Sequence, residues 1–270
     1  MENIFKTNKF LSHCFYALIF LMFVFIFTPA QGSGKFVLSF EMPNKAAYKE
    51  LAEAVKDTGH FQSVIKGVNR DYTIPADIKV RFAMGDQVDY LPESKQIIIG
   101  YEFLYSLADL YTAEFPKAKN KDIALFTIRV CTFVLYQKLA LAFINVHDIP
   151  VVGGTERAID NLAIVFALEY SNGGYDIVMD AAVLYDVVNY NRGHDSSKAI
   201  RRVIDVDSKR FHNVICMAYG KHPKEVMAEF KRLGAAKLLE RYEDNADHCK
   251  KLYDSQFKAW SKLLKPYATR

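Results

Sequence analysis

FVLYQKLALAFINVHDIPVVGGTERAIDNLA, residues Phe133–Ala163, is the stretch on which the fold turns. Its first half reads as a very apolar helix. A short loop follows, marked by Pro150 and by Gly153-Gly154. A second helix then begins, with Thr155 as a candidate cap, Glu156 in its first turn and Asp160 one turn later. Extended backwards, the first helix starts near Asp122, a second candidate cap, and ends at Val146. Apolar residues fall on nearly all of its sides, the pattern of a helix buried at the centre of a domain.

Upstream of this pair the pattern changes. Lys35–Met42 alternates loosely and predicts a strand. Lys45–Asp57 carries Ala47, Leu51, Ala54 and Val55 at helical spacing, with Gly59 after it. His60 to Pro75 is mixed and predicts a strand around Phe61–Ile65, then a loop. Ile78–Met84 places Ile78, Val80, Phe82 and Met84 on one face of a strand. Lys95–Gly100, with Ile97-Ile98-Ile99, predicts another. From Tyr101 onward every periodic segment is helical. These are Glu102–Ala113, the helix to Val146, that from Thr155 to about Tyr170, Tyr175–Tyr190, Asp207–Tyr219, Pro223–Leu233 and Lys237–Leu264. Asn191–Lys198 reads as a loop, and Gly220 and Gly234 as helix ends. The expected class is α+β and mainly helical, with a small sheet in residues 35–100 and a helical part in 101–270.

Composition bounds the function. With 270 residues, 51% hydrophobic and 24% charged, the chain is globular. Its net charge of +4 comes without a basic run, so nucleic acid is not an expected partner. Residues 1–30 stand apart: Lys6 and Lys9 precede an apolar run from Phe15 to Phe27, then Thr28-Pro29-Ala30. That is the layout of a secretory signal peptide, and the run is short for a spanning helix of about 20 residues. An uncleaved N-terminal anchor is the alternative, since the run is rich in Phe and lacks an Ala-x-Ala site. Either way residues 31–270 are expected outside the cytoplasm, periplasmic or secreted, touching a membrane only through that segment. An oxidising compartment would let Cys216 and Cys249 pair. Cys249 falls on the apolar stripe Leu239, Tyr242, Ala246, Cys249, Tyr253, Phe257 (or Gln256 beside it), Trp260 and Leu264. Cys131, in an apolar helix, reads as a small buried hydrophobe.

The layout of Phe133–Ala163 resembles that of gluzincin-type zinc peptidases. There one helix carries His-Glu-x-x-His, and the next supplies a Glu ligand, often followed four residues later by Asp. More closely, the stretch resembles a bacterial family of metallopeptidases of unknown function, through Pro150, Gly153, Glu156, Ala158, Asp160, Leu162 and Ala163. The likeness extends from about Ile78 to the C-terminus. Met84–Glu102 resembles the segment before the family's metal helix, with Met84 and Gly100 where the family has two cysteines. Asp207–Pro223 and His248–Leu264 are similar to its Arg-Phe, Cys-x-x-Tyr-Gly, Cys and Trp pattern.

The same alignment puts Gln137 at the first His, Lys138 at the catalytic Glu and Leu141 at the second His. A catalytic zinc takes three protein ligands and an open position. Leu141 has no donor atom, Gln137 is a poor substitute for imidazole, and Lys138 repels a metal and cannot be the carboxylate base. The resemblance therefore implies a vestigial site at Glu156 and Asp160, no zinc cofactor, and a role in binding an unknown protein or peptide. An active metallopeptidase with an altered zinc site is the alternative. No His-x-x-x-His pair, Gly-x-Ser-x-Gly elbow or phosphate loop offers other chemistry. Lys138 is expected to pair with Glu156 or Asp160 where the metal would sit, with Gln137 adding an amide donor. The competing expectation has Lys138 snorkelling to solvent.

Overall fold

A computed structural model describes residues 34–151, 154–204 and 208–269. The expected signal segment at 1–30, loop position Gly153 and the expected helix start at Asp207 lie outside the described residues. The chain opens with β1 (Phe36–Phe40), α1 (Ala46–Asp57) and α2 (His60–Asp71). Three strands follow: β2 (Ile78–Ala83), β3 (Val88–Leu91) and β4 (Gln96–Gly100). The sheet order is β1-β2-β4-β3. β1 and β2 run parallel, with Phe36 opposite Ile78, and α1 and α2 form the crossover that parallel neighbours require. β2 and β4 are also parallel, while β3 folds back antiparallel on β4 with Val88 opposite Ile99. Ile78, Val80 and Phe82 of β2, and Ile97 and Ile99 of β4, are completely buried, the period-two pattern of a strand with one face on the core.

Two expectations for this region change. The strand expected around Phe61–Ile65 is the first half of α2. Phe61, Val64, Ile65 and Val68 recur at intervals of three and four, and all four are buried. Met84 lies past the end of β2 and is exposed rather than turned inward. Gly100 sits so close to Gly85 that an added Cβ would lie 2.1 Å from the Gly85 carbonyl oxygen. No side chain, cysteine included, fits there without a backbone shift.

The helical part comprises α3 (Tyr101–Glu114), α4 (Asn120–Val146), α5 (Thr155–Tyr170), α6 (Gly174–Tyr190), α7 (Asp195–Val203), α8 (Ser208–Lys221), α9 (Pro223–Arg232), α10 (Ala236–Asp244) and α11 (Ala246–Leu264). The α+β, mainly helical architecture is as the sequence predicts. α4 is the central helix, packed by α3, α5 and α6. Its length and apolar character would suit a membrane span, but 67% of its most apolar window is buried inside the fold, so it is a core helix. Asp122 lies in its first turn rather than at the cap, where its carboxylate accepts the Lys119 backbone N–H at 3.3 Å.

Three helix boundaries also differ from expectation. Part of the loop expected at Asn191–Lys198 is the start of α7, capped by His194, whose Nδ1 accepts the Ser196 N–H at 3.3 Å. The expected terminal helix is broken at Asn245 into α10 and α11. Gly220 does not end a helix; it lies within α8, where an added Cβ would stand 2.4 Å from the Cys249 carbonyl oxygen. That closeness lets α8 and α11 pack backbone to backbone. Beyond α11 the chain returns to the N-terminal part. The Tyr267 carbonyl accepts the Thr73 N–H at 2.8 Å, and the Tyr267 ring stacks on His147 with centroids 3.6 Å apart.

Candidate functional site

Four helices each send one polar side chain to a single buried point. Gln137 comes from α4, Asp160 from α5, Tyr185 from α6 and Arg210 from α8. Asp160 is 1% exposed and receives three hydrogen bonds. Arg210 donates as a fork, Nε to Oδ2 at 2.8 Å and Nη2 to Oδ1 at 2.7 Å. Gln137 Nε2 donates to Oδ1 at 2.6 Å. Gln137 and Arg210 also both reach the Tyr185 hydroxyl, at 3.1 and 3.4 Å. The guanidinium stands 5.4 Å from the centre of the Tyr185 ring. A buried carboxylate is costly unless paired and hydrogen-bonded, and a bidentate guanidinium is its strongest partner. Burial, and then the charge of Asp160, push the Tyr185 phenol well above its ordinary pKa, so at neutral pH it is an intact hydroxyl.

Lys138 follows Gln137 but serves another face of α4, because each step along a helix turns by about 100°. Its ammonium lies 3.6 Å from Asp89 of β3, with 16% of the Lys side chain and 51% of the Asp side chain exposed. Burial lowers the Lys138 pKa; Asp89 opposes that shift and Arg210 adds to it. The expected pairing of Lys138 with Glu156 or Asp160 is thus corrected. Asp160 has its cation, but the cation is Arg210. Leu141, one turn on from Gln137, is half-buried and packs on the apolar core. Glu156 is exposed in the first turn of α5.

A cleft of about 850 Å³ opens over Asp160 and Arg210, between α5, α8, α10 and α11. Glu156 and Arg157 stand on one wall. His212 stands on another, its Nδ1 3.0 Å from the Tyr242 hydroxyl. Burial first, and Arg241 second, lower the His212 pKa. The disulfide Cys216–Cys249 lines the same cleft and joins α8 to α11 across a Cα separation of 4.8 Å, the pairing the apolar stripe suggests. Cys131 is the buried free thiol among the described residues, its pKa raised by burial. Elsewhere His60 bonds Thr132 at 2.8 Å and His147 bonds the Thr73 carbonyl at 3.1 Å. Among the described residues no three His, Cys, Asp or Glu side chains gather as metal ligands would.

Sequence reasoning brought Gln137 and Asp160 to the same region but missed Tyr185 and Arg210. The resemblance noted Arg210 only as half of an Arg-Phe motif. The available signal was Asp160 itself: a carboxylate in so apolar a helix requires a cation from elsewhere.

No curated protein and no solved structure matches this chain. The sequence profile of one family does match, over residues 40–264. That span runs from the end of β1 to the last residue of α11 and takes in all four helices that build the buried cluster. The chain belongs to the family described as "Putative metallopeptidase".

Proposed function

We propose that this protein is an exported, catalytically silent relative of a gluzincin-like zinc peptidase, and that it works by binding a protein or peptide in the cleft above Asp160. The observation that carries this reading is the 2.6 Å hydrogen bond from Gln137 to Asp160. A zinc-bound histidine commonly donates its second ring N–H to a carboxylate. Gln137, at the position the resemblance gives to the first His, makes that donation with an amide. The supporting carboxylate is kept while the ligand it would support is gone.

The rest of the donor set does not fit zinc. A guanidinium fork covers both oxygens of Asp160. Leu141 offers no donor, Lys138 offers a positive charge turned towards Asp89, and Glu156 is a single exposed carboxylate. Three ligands and an open position are what a catalytic zinc takes. Lys138 also cannot serve as the carboxylate base of a hydrolysis. What remains of a peptidase is its cleft. Export is supported by the charged start and short apolar run within residues 1–30 and by a disulfide of the kind that persists in oxidising compartments.

The test is elemental analysis of the purified protein, together with digestion of a mixed peptide library. The expected result is zinc far below one equivalent and no cleavage. About one equivalent of zinc, lost together with peptide cleavage in Glu156→Ala, would overturn the proposal and establish an active metallopeptidase with an altered site.

A further inference from the structure

We infer that the cleft takes a carboxylate-bearing peptide: its ligand is an acidic segment of a partner protein. This rests on the peptide-binding reading above and adds the chemistry of the ligand. Besides Arg210, three cations from three different helices line the cleft: Arg157 of α5, Lys209 of α8 and Arg241 of α10. All three are exposed, and among the described residues none is held in an ion pair. The counter-charge on the described walls is small. Asp160 is already committed to Arg210, which leaves Glu156 as the one described carboxylate lining the cleft and not so engaged.

A mere excess of basic residues on the surface does not account for this. The whole chain carries a net charge of only +4, whereas this one cleft sets Arg157, Lys209, Arg210 and Arg241 against Glu156 and Asp160 among the described residues, four positive charges to two negative. Like charges that line one cleft repel, and an anionic ligand relieves that repulsion. Guanidinium groups are suited to carboxylates because their planar forks bond both oxygens at once. Asn213, Asn245 and Gln256 on the same walls offer amides for a ligand's backbone. The cleft's volume, about 850 Å³, falls in the range of ligand clefts and accommodates a short peptide rather than an ion alone.

Fluorescence anisotropy with labelled decapeptides tests this on the purified protein. The probes are a Glu-Gly repeat, a Ser-Gly repeat and a Lys-Gly repeat, each with a free and with an amidated C-terminus. The Glu-Gly probe should bind most tightly and weaken as salt is raised. The combined variant Arg157→Glu, Lys209→Glu, Arg241→Glu should bind it at least about tenfold less well, with its melting temperature essentially unchanged. The combined Gln variant of the same positions should fall between the two. Weakening confined to amidated probes would locate the recognised carboxylate at the C-terminus; equal binding of both forms locates it on side chains. Equal binding of the Ser-Gly or Lys-Gly probe, or an unchanged affinity in both variants, would overturn the inference while leaving the peptide-binding reading intact. Competition by an oligonucleotide of equal charge would overturn it by making the cleft a general polyanion site. Failure of every probe to bind would count against the peptide-binding reading itself.

Discussion

Arg210→Met should be among the most damaging single substitutions in this protein, and the structure sets the size of the loss. Asp160 is 1% exposed, and both of its oxygens accept from the Arg210 fork. Removing the guanidinium leaves a carboxylate in the core with the Gln137 amide as its one remaining donor among the described residues. Breaking a buried pair from one side costs about 3–5 kcal/mol. The surviving Gln137 bond puts the loss at the lower end, about 3 kcal/mol, which in a chain of this size lowers the melting temperature by roughly 10 °C. Asp160→Asn should cost less, about 1–2 kcal/mol, because Arg210 keeps 15% of its side chain exposed and also feels the charge of Glu156. The double variant removes both charges at once. It should therefore be far more stable than the sum of the single losses predicts, with a coupling of about 2 kcal/mol. Urea unfolding of the four proteins, with unchanged m-values, measures that coupling. A coupling below about 0.5 kcal/mol would show that Asp160 does not depend on Arg210, and the account of the cluster would fail.

Lys138→Met should change stability by no more than about 1 kcal/mol, since Asp89 is half exposed and is rehydrated when its partner goes; a loss of several kcal/mol in the same urea assay would mean that a buried charge had been stranded. Replacing Cys216 and Cys249 by Ala opens a loop spanning 33 residues and should cost about 3–4 kcal/mol; two thiols alkylated at these positions in the non-reduced wild type would refute the bridge. Asp180 supplies a pH dependence. Burial raises its pKa from 3.8 to about 6 against the pull of Arg129, so the folded form holds the proton more tightly than the unfolded one. The stability this gives is complete below pH 3.8 and is lost as the pH rises through about 6. Asp180→Asn should therefore be more stable than wild type by about 1–2 kcal/mol at neutral pH and no better in acid, because Arg129 keeps Asp176 at 2.6 Å. An equal gain at both pH values would contradict that origin.

The parts of the fold legible in the sequence are those written in local periodicity. Ile78–Phe82 alternates, and Phe133–Val146 is apolar all round; both adopt the element their pattern dictates. In α2 the local pattern points to a strand, because Val64 and Ile65 are β-branched residues between Gly59 and Gly67. Burial of Phe61 and Val68 on the same face settles the matter, and that is a tertiary fact. β3 is four residues long and owes its existence to pairing with β4. The break at Asn245 is equally hidden, because the apolar stripe continues on either side of it. The site divides along the same line. Asp160 could be located from its own helix, but its cation lies 50 positions away, and no pattern within one element links the two.

The corrected identity of that cation bears on how such a site can lose its chemistry without losing its fold. On the proposed reading, the missing His would remove the donor that faces Asp160, and the missing metal would remove the cation that faces Glu156. The two carboxylates meet different fates. Glu156 is exposed in the first turn of α5, where solvent and the helix end accommodate its charge. Asp160 has no such outlet and must be paired inside. Lys138 could not meet that need, since α4 carries it to the side of β3 and Asp89. Even if it could turn, an ammonium would place one point charge where two carboxylate oxygens need donors, and a guanidinium bonds both from one plane. Arg210, on the adjoining helix α8, reaches Asp160 from beneath the cleft. Asp160 and Arg210 neutralise each other, and the cleft above them keeps Arg157, Lys209 and Arg241 without ion-pair partners among the described residues. On that reading, the exchange that would remove metal chemistry spends the buried carboxylate inward and leaves the walls with the charge that an acidic peptide would answer.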